Sequence, residues 1–226
     1  MDADENRWNT TFVREIADAL DAIENDDGPG ALITSSTNQK FYSNGLDLEW
    51  MQAPEKHPDG GDREVFGEEF MYLMGRFITL PIPTICAING HAFGAGFMFA
   101  LSHDVRIMRE DRGFICANEM QLGLPIPRPE LALFKHKIPA NSFFETVQLS
   151  KRWTGSNALK AGIIQGVCSY EELPEVTLKK AEELAPLANN RKNFGLQKEM
   201  LYGENAAINL NHGPAHMLKN SKDFEI

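Results

Sequence analysis

Two stretches of the sequence combine an apolar run, a glycine-containing turn and the start of a helix. They are residues 41–48, FYSNGLDL, and residues 88–96, INGHAFGAG. A helix start leaves several N–H groups without partners and carries partial positive charge, and glycine lets a ligand approach closely. Two such corners side by side could direct two N–H groups at one oxygen, as in an oxyanion hole. Plain strand-to-helix turns are the alternative, which spacing alone favours.

Nucleotide-binding signatures are missing from both corners. Residues 94–100 read GAGFMFA, which is not G-x-G-x-x-G, and no acidic residue is placed to hold a ribose on the next strand. The glycine-lysine pair of a P-loop does not occur. A nucleotide site of either kind is therefore disfavoured.

The overall charge limits the class of partner. The chain has 226 residues, 42% of them hydrophobic, and a net charge of −10. Nucleic acids and anionic membranes both require a basic face, so neither is expected as the main partner. A phosphorylated small molecule needs only a local cluster of positive charge and is not excluded.

Location and redox state follow from the ends of the chain and the cysteines. The acidic start, MDADE, suits neither a secretory signal nor a transit peptide, and the end is not a Ser-Lys-Leu signal. No apolar stretch reaches the roughly 18 residues of a membrane span. Cys86, Cys116 and Cys168 are far apart and are expected to be reduced core thiols. The sequence predicts a cytoplasmic protein, with a peroxisomal location as the alternative if a targeting end has been lost.

Apolar periodicity predicts strands that alternate with helices, which is typical of an α/β core with crossovers. The predicted strands cover residues 31–34, 41–42, 84–89, 105–108, 114–117 and 166–169. The predicted helices cover residues 10–24, 64–78, 94–102, 141–150 and 156–161, with more beyond Pro174. Residues 52–62, rich in proline, glycine and charge, are expected to form a mobile surface loop.

Three segments together resemble the enoyl-CoA hydratase/isomerase (crotonase) superfamily: residues 43–48, residues 83–96 and residues 102–108, SHDVRIM. The resemblance covers about residues 6–167. It implies an α/β fold, a spiral of ββα units with a helical C-terminal region. Residues 1–138 would form the core and residues 139–226 a helical trimerisation region. The β-hairpin with which the family usually begins would be absent or truncated.

The resemblance also implies the residues of the site. The backbone N–H groups of Leu46 and Ala95 would hold the thioester carbonyl of an acyl-CoA, and losing one such donor typically costs about 100–1000-fold in rate. Coenzyme A is part of the substrate, so no cofactor is expected, nor a metal. A homotrimer, or a dimer of trimers, would be the assembly. Further substrate or CoA contacts would come from Ser43, Gly45, Asp47, Gly94 and Met98.

Counting carboxylates separates the reactions of this superfamily. The hydratases resembled here use two glutamates, and the first of these positions is Met98, which cannot exchange protons. Glu119 follows Asn118 as in the Δ3,Δ2-enoyl-CoA isomerases, in which a single base takes a proton from C2 and returns it at C4 of a dienolate held by the oxyanion hole. The resemblance therefore favours an isomerase with Glu119 as the catalytic residue. A hydratase with an unrecognised partner group, another crotonase reaction, or a degenerate acyl-CoA-binding protein remain alternatives.

For the other ionisable side chains, the sequence favours a structural role or leaves a choice between a structural or solvated role and ligand binding. Glu130 stands at a predicted helix start, where an acid is favourable, and is expected to be structural. His91 and His103 are expected to be structural or to line the ligand site. Arg7 and Lys40 flank the first corner and could meet CoA phosphates, or remain solvated. A group of apolar side chains is expected to be mostly core, with some lining an acyl tunnel: Phe70, Met71, Met74, Phe77, Phe97 and Phe99.

Overall fold

The computed structural model describes residues 1–53, 60–204 and 212–224. Within these ranges the chain forms seven short strands, and paired strands are parallel throughout. In chain order they are β1 (Leu32–Thr34), β2 (Phe41–Ser43), β3 (Thr84–Ile88), β4 (His91–Phe93), β5 (Val105–Arg109), β6 (Ile115–Cys116) and β7 (Gly166–Cys168).

The helices of the described residues lie between and after these strands. They are α1 (Thr10–Glu24), α2 (Leu48–Gln52), α3 (Phe66–Thr79), α4 (Ala95–Leu101), α5 (Arg128–Lys137), α6 (Ala140–Val147), α7 (Gly155–Lys160), α8 (Leu173–Leu184), α9 (Arg191–Tyr202) and α10 (Pro214–Lys219). Short 3-10 helices cover Glu119–Leu122, Ala185–Ala188 and Ser221–Phe224.

The strands form two sheets, one with the order β1-β3-β5-β7 and the other with the order β2-β4-β6. Strands that follow each other along the chain therefore belong to different sheets, and a helical segment leads to the next pair. Three such ββα units repeat, and each adds one strand to each sheet. This repeat is the spiral of ββα units that the resemblance implied, so the predicted fold class is confirmed.

Local sequence signals account for many of the element bounds. Helix α1 has the predicted bounds, because the Asn9 side chain caps it by accepting a hydrogen bond from the Phe12 N–H. The sequence did not predict β4 and predicted only the start of α5. Strand β4 has only three residues, too few to show a periodic pattern, and α5 was expected only as a start near Glu130.

An aromatic cluster around Trp8 joins the N-terminal segment to three helices. The Trp8 ring centroid lies 4.7 Å from that of Phe12 on α1 and 4.9 Å from those of Phe70 on α3 and Phe99 on α4. Phe99 also contacts Phe77 of α3 at 4.8 Å. All five side chains are buried. Burying one large apolar side chain stabilises a fold by about 1.5–3 kcal/mol, so this cluster fixes α4 firmly in the core.

The C-terminal helices pack on the same chain. Helix α10 contacts α3 and α5, and α8 contacts β3 and β5. Ala215 and Leu218 of α10 belong to the main hydrophobic core, so residues on both sides of the predicted boundary at residue 138 share that core. A trimerisation role for residues 139–226 stays a prediction.

A buried ion pair ties α9 to the four-stranded sheet. Lys198 Nζ lies 2.7 Å from Asp104 Oδ2, and the Lys198 side chain is only 5% exposed. The same carboxylate oxygen accepts hydrogen bonds from the N–H and hydroxyl of Thr84 at the start of β3. Asp104 thus compensates a cation that would otherwise be buried alone.

Some sequence expectations concern residues outside the described ranges. Most of the loop predicted for residues 52–62 falls on residues 54–59, and part of the polar tail falls on residues 205–211 and 225–226. Cys86, Cys116 and Cys168 are free thiols, the first two of them buried. In the described part of the chain, no helix combines the length and apolar composition of a membrane span.

The substitution Asp104→Asn is expected to lower the free energy of unfolding by about 3 kcal/mol, because removing one partner leaves the Lys198 ammonium buried and uncompensated. Urea unfolding followed by circular dichroism measures the difference. Asp18→Asn on the exposed side of α1 makes the same chemical change away from any buried cation and serves as the control. Equal stability of the two variants would contradict this interpretation of the ion pair.

Candidate active site

The two glycine corners lie side by side. Strands β2 and β4 are parallel neighbours in the three-stranded sheet, and one corner follows the end of each strand. Because the strands run in the same direction, both corners leave the sheet at the same edge. Helix α4 begins at Ala95, directly after the second corner.

The close approach of the corners depends on Gly45. Its φ is +82°, and a Cβ added there would lie 2.7 Å from the carbonyl oxygen of Phe93 and 3.8 Å from the nitrogen of Ala95. A larger residue would be strained at this φ and would push the corners apart. A Cβ on Gly96 would likewise lie 2.6 Å from the carbonyl oxygen of Ser43.

Two backbone N–H groups at this junction have no acceptor. Trp8 donates its N–H to the Gly45 carbonyl at 2.8 Å and accepts the Asp47 N–H at 2.9 Å, which fixes Leu46 between these bonds. Ala95 is the first residue of α4, so its N–H lacks an acceptor within the helix. Among the described residues, no hydrogen bond involves the N–H of Leu46 or Ala95. Both residues line the same cavity.

Glu119 stands next to these N–H groups. It follows strand β6, the third strand to reach this edge, and opens a 3-10 helix. A Cβ added at Gly94, whose φ is +49°, would lie 3.0 Å from Glu119 Oε1. Glu119 Oε2 is buried without a hydrogen-bond partner among the described residues. Burial raises the pKa of the Glu119 carboxyl above its usual range, partly opposed by a hydrogen bond from its own N–H.

A cavity of about 460 Å³ opens in front of this edge. Its wall includes the predicted site residues Gly45, Leu46, Gly94, Ala95, Met98 and Glu119. Met98 on α4 is buried and contributes a thioether, not a charge. Of the apolar side chains expected to be core or tunnel, Phe70 and Met71 of α3 line the cavity, whereas Met74, Phe77, Phe97 and Phe99 are buried away from it.

Further residues complete the wall. They come from the second helix, from α3 and from the segment after Glu119, and sequence reasoning did not single them out, since only tertiary contact brings them together. They include Leu48, Phe66, Leu122, Leu124, Pro125 and Pro127.

Two predicted contact residues lie outside the cavity wall. Ser43 is fully buried, and its hydroxyl donates to the carbonyl of Asn6 at 2.7 Å. Asp47 caps α2 by accepting the N–H of Trp50. Both side chains therefore stabilise the first corner through hydrogen bonds to the backbone. Neither lines the cavity that holds Glu119.

Glu130 corrects the sequence expectation of a purely structural acid. It does lie in the first turn of α5, as predicted. Its side chain nevertheless lines the same cavity as Glu119, and only 7% of the residue is exposed. Burial, reinforced by the negative charge of Glu119, raises the pKa of Glu130 to about 8. The missing signal is tertiary, because the sequence does not say that the start of α5 lines the same cavity as Glu119.

The remaining polar candidates differ in position. Arg7 lines the cavity and pairs with Glu5 at 2.7 Å, whereas Lys40 does not line it. His103 is buried, with its ring nitrogens 2.9 Å from Thr34 Oγ1 and from a backbone carbonyl, and burial lowers its pKa to about 3. His103 is thus neutral and structural. His91 is half-buried and lies outside the cavity wall.

Possible metal ligands lie outside this cavity. In the described part of the chain, the ligand atoms of Glu204, His212 and His216 are within 4.8 Å of one another. None of these residues lines the cavity that holds Glu119. The prediction that the site needs no metal or cofactor is not tested by these distances.

The sequence is similar to a family of known proteins. Residues 2–208 match the family model for enoyl-CoA hydratase/isomerase. The chain is 32% identical over 204 residues to enoyl-CoA delta isomerase 3 of Arabidopsis thaliana, covering 89% of this chain and 85% of that protein. It is 31% identical over 208 residues to the peroxisomal enoyl-CoA delta isomerase 2 of the same plant, covering 90% and 87%.

A solved structure shares the fold. The structure of human mitochondrial delta3-delta2-enoyl-CoA isomerase superposes with a TM-score of 0.79 at 25% identity, covering 96% of this chain and 79% of that one. The matched sequence model spans both glycine corners and Glu119. The chain belongs to the enoyl-CoA hydratase/isomerase family, within the crotonase superfamily.

Proposed function

We propose that the chain is a Δ3,Δ2-enoyl-CoA isomerase that acts on fatty acyl-CoA thioesters. The observation that carries the proposal is the carboxylate of Glu119 beside two free backbone N–H groups in a largely apolar cavity. Met98 supports an isomerase over a hydratase, because it stands where the hydratases resembled here keep the first of their two glutamates, and a thioether cannot exchange protons. The names of the plant and human relatives point in the same direction.

The free N–H groups would bind the thioester carbonyl. The N–H groups of Leu46 and Ala95 donate to the carbonyl oxygen, which becomes negatively charged when C2 loses a proton. Fixed donors in a site with little water stabilise such an oxyanion without reorganising during the reaction. The side chains at these two positions matter less than the backbone, because the peptide N–H is the reacting group.

Glu119 would move the proton. Its carboxylate removes a proton from C2 of a 3-enoyl-CoA, and the electron pair of that C–H bond enters the dienolate held by the two N–H groups. Protonation at C4 then restores the carbonyl and leaves the double bond between C2 and C3. Burial supports this role, because a carboxyl whose pKa is raised is a stronger base.

The wider biological setting remains predicted. An acyl chain fits the apolar residues of the wall, and coenzyme A enters as part of the substrate, so no cofactor or metal is proposed. A homotrimer, or a dimer of trimers, is the proposed assembly. The role in fatty acid β-oxidation stays a proposal too. The proposed location is the cytoplasm, with the peroxisome as the alternative that one relative's name supports.

The purified protein is expected to convert a 3-enoyl-CoA into the conjugated 2-enoyl-CoA, which ultraviolet absorbance detects. Glu119→Gln removes the base and should lower kcat by about 100–10,000-fold. Glu175→Gln, an exposed carboxyl in the first turn of α8, makes the same change outside the cavity and should leave the rate unaltered.

Three other results would each contradict a part of this proposal. Full activity of Glu119→Gln would remove the proposed base. Loss of conjugation from a 2-enoyl-CoA, without conversion of the 3-enoyl-CoA, would indicate a hydratase. Tight binding of CoA esters without turnover would indicate a binding protein.

The position of Glu119 is tested by Gly94→Ala. The new Cβ would lie 3.0 Å from Glu119 Oε1, and a displacement of about 1 Å can cost roughly 100-fold in rate. Gly123→Ala is the matched control, because Gly123 also has a positive φ, +71°, but no atom lies within 4 Å of its added Cβ.

Gly123→Ala should lose about 1–2 kcal/mol of stability, because Gly123 has a left-handed conformation. Gly94→Ala should lose more, because the φ of +49° and ψ of −121° at Gly94 lie outside that region. Only Gly94→Ala should lose most of its isomerase activity. Equal activity in the two variants would show that the placement of Glu119 against Gly94 is not required.

A further inference from the structure

The cavity contains a second carboxyl group that the proposed reaction does not use. Glu130 of α5 lines the cavity together with Glu119, and 93% of the residue is shielded from solvent, since its exposure is 7%. Among the described residues, no hydrogen bond or ion pair reaches its carboxyl group. Burying a carboxyl group that has no hydrogen-bond or ion-pair partner costs free energy, so the position of Glu130 needs an explanation.

An internal comparison argues against a helix-capping explanation. Glu130 and Glu175 occupy the same place in their helices, each directly after a proline in the first turn. Both therefore gain equally from the positive end of a helix. Glu175 is exposed, as a helix-terminal acid normally is, whereas Glu130 is turned into the cavity. The helix position explains why a glutamate is tolerated, but it does not explain the burial.

Charges around Glu130 favour its protonated form. Burial and the charge of Glu119 raise the pKa of Glu130 to about 8, so Glu130 carries a proton at neutral pH. The other ionisable residues of the cavity are Arg7 and Glu49, which approach each other at 3.9 Å.

Ionisable residues on the neighbouring helices have little influence on the protonation of Glu130. Helix α4, which packs against α5, has no ionisable residue. The other ionisable side chains on α5 and on the elements packed against it do not line the cavity: Arg128, Lys135, His136, Lys137, Glu145, His216, Lys219, Lys222 and Asp223. Glu119 is the charge that acts on Glu130.

The two carboxyls reach the cavity from different elements, Glu119 from the segment after β6 and Glu130 from α5. Glu119 contacts Gly94, next to the Ala95 N–H that would hold the carbonyl, so it lies beside C2. Glu130 is not among the atoms nearest to Gly94 or Gly45. It enters the same cavity from α5, an element that belongs to neither corner. We propose, on the basis of the proposed isomerase function, that Glu130 is a second catalytic residue, the acid that protonates C4.

The proton balance closes with no reactant other than water. Glu119 takes the C2 proton and becomes a neutral acid, leaving the dienolate. Glu130 gives its proton to C4, the C=O bond reforms, the C2–C3 bond becomes double, and Glu130 becomes a carboxylate. Glu119 then releases its proton to water and Glu130 takes up a proton from water, which restores the starting state. The last step is favourable, because the proton rests on Glu130 when Glu119 is charged.

Isotope tracing distinguishes protonation of C4 by Glu130 from a mechanism in which Glu119 alone moves the proton from C2 to C4. The substrate is a 3-enoyl-CoA with deuterium at C2, converted in ordinary water and analysed by mass spectrometry and NMR. If Glu130 supplies the C4 proton, the wild-type product carries little deuterium at C4. Glu130→Gln forces Glu119 to return what it removed, so the deuterium content at C4 should rise several-fold.

Rate and pH dependence add a second readout. Glu130→Gln should lower kcat roughly 10–100-fold, less than the loss of a positioned acid can cost, because Glu119 can take over. For the wild type, kcat/KM should rise as Glu119 ionises and fall above about pH 8 as Glu130 loses its proton. Glu130→Gln should lack the fall, whereas Glu130→Asp, which keeps a carboxyl, should retain a fall and a low deuterium content. Glu175→Gln should behave as wild type.

The outcomes distinguish the two proposals. A wild-type enzyme that converts the substrate but returns most of the deuterium to C4 would overturn the role of Glu130, even if no Glu130 variant folds. An unchanged label and pH profile in folded Glu130→Gln would do the same. Failure of the wild type to convert any 3-enoyl-CoA would instead overturn the isomerase function, and the role of Glu130 with it.

Discussion

The site depends on the contact between two backbone corners at one edge of a parallel sheet. The carbonyl of Phe93 lies where a side chain at residue 45 would begin, so the corners can meet only because residue 45 is glycine. This contact brings Leu46 and Ala95, whose N–H groups are free, to one cavity, while the N–H groups of Gly45, Asp47 and Gly94 are hydrogen-bonded. An N–H group left unpaired in a protein interior costs about 1–3 kcal/mol, so the surrounding fold must compensate for both.

The rest of the structure supplies that compensation and holds the corners rigid. Trp8 fixes Leu46 through two backbone hydrogen bonds and also anchors the aromatic cluster that contains Phe99 of α4. The same tryptophan therefore links both corners to the core. The C-terminal helices stabilise the fold further, because the ion pair between Lys198 and Asp104 joins α9 to the four-stranded sheet. A site made from backbone groups requires this rigidity, because no side-chain rotation can correct a misplaced N–H.

Sequence reasoning predicted what depends on local signals. The Asn9 cap predicted the start of α1, and the glycine spacing marked both corners, whereas the N–H groups of Leu46 and Ala95 were implied by the resemblance. The resemblance added Glu119, which the structure places against Gly94. Glu130 was interpreted as structural and Ser43 and Asp47 as ligand contacts, since sequence cannot show which way a side chain faces once helices and strands pack. Those three positions depend on tertiary contacts.

The central claim is that two backbone N–H groups polarise one thioester oxygen. The direct measurement is the vibrational spectrum of a bound acyl-CoA whose thioester carbonyl carbon is labelled with carbon-13. The account predicts a carbonyl stretch at lower wavenumber in the complex than in water, and the same shift in Glu119→Gln, because the donors belong to the backbone. A carbonyl band that stays at its position in water when the ligand is fully bound would contradict the account.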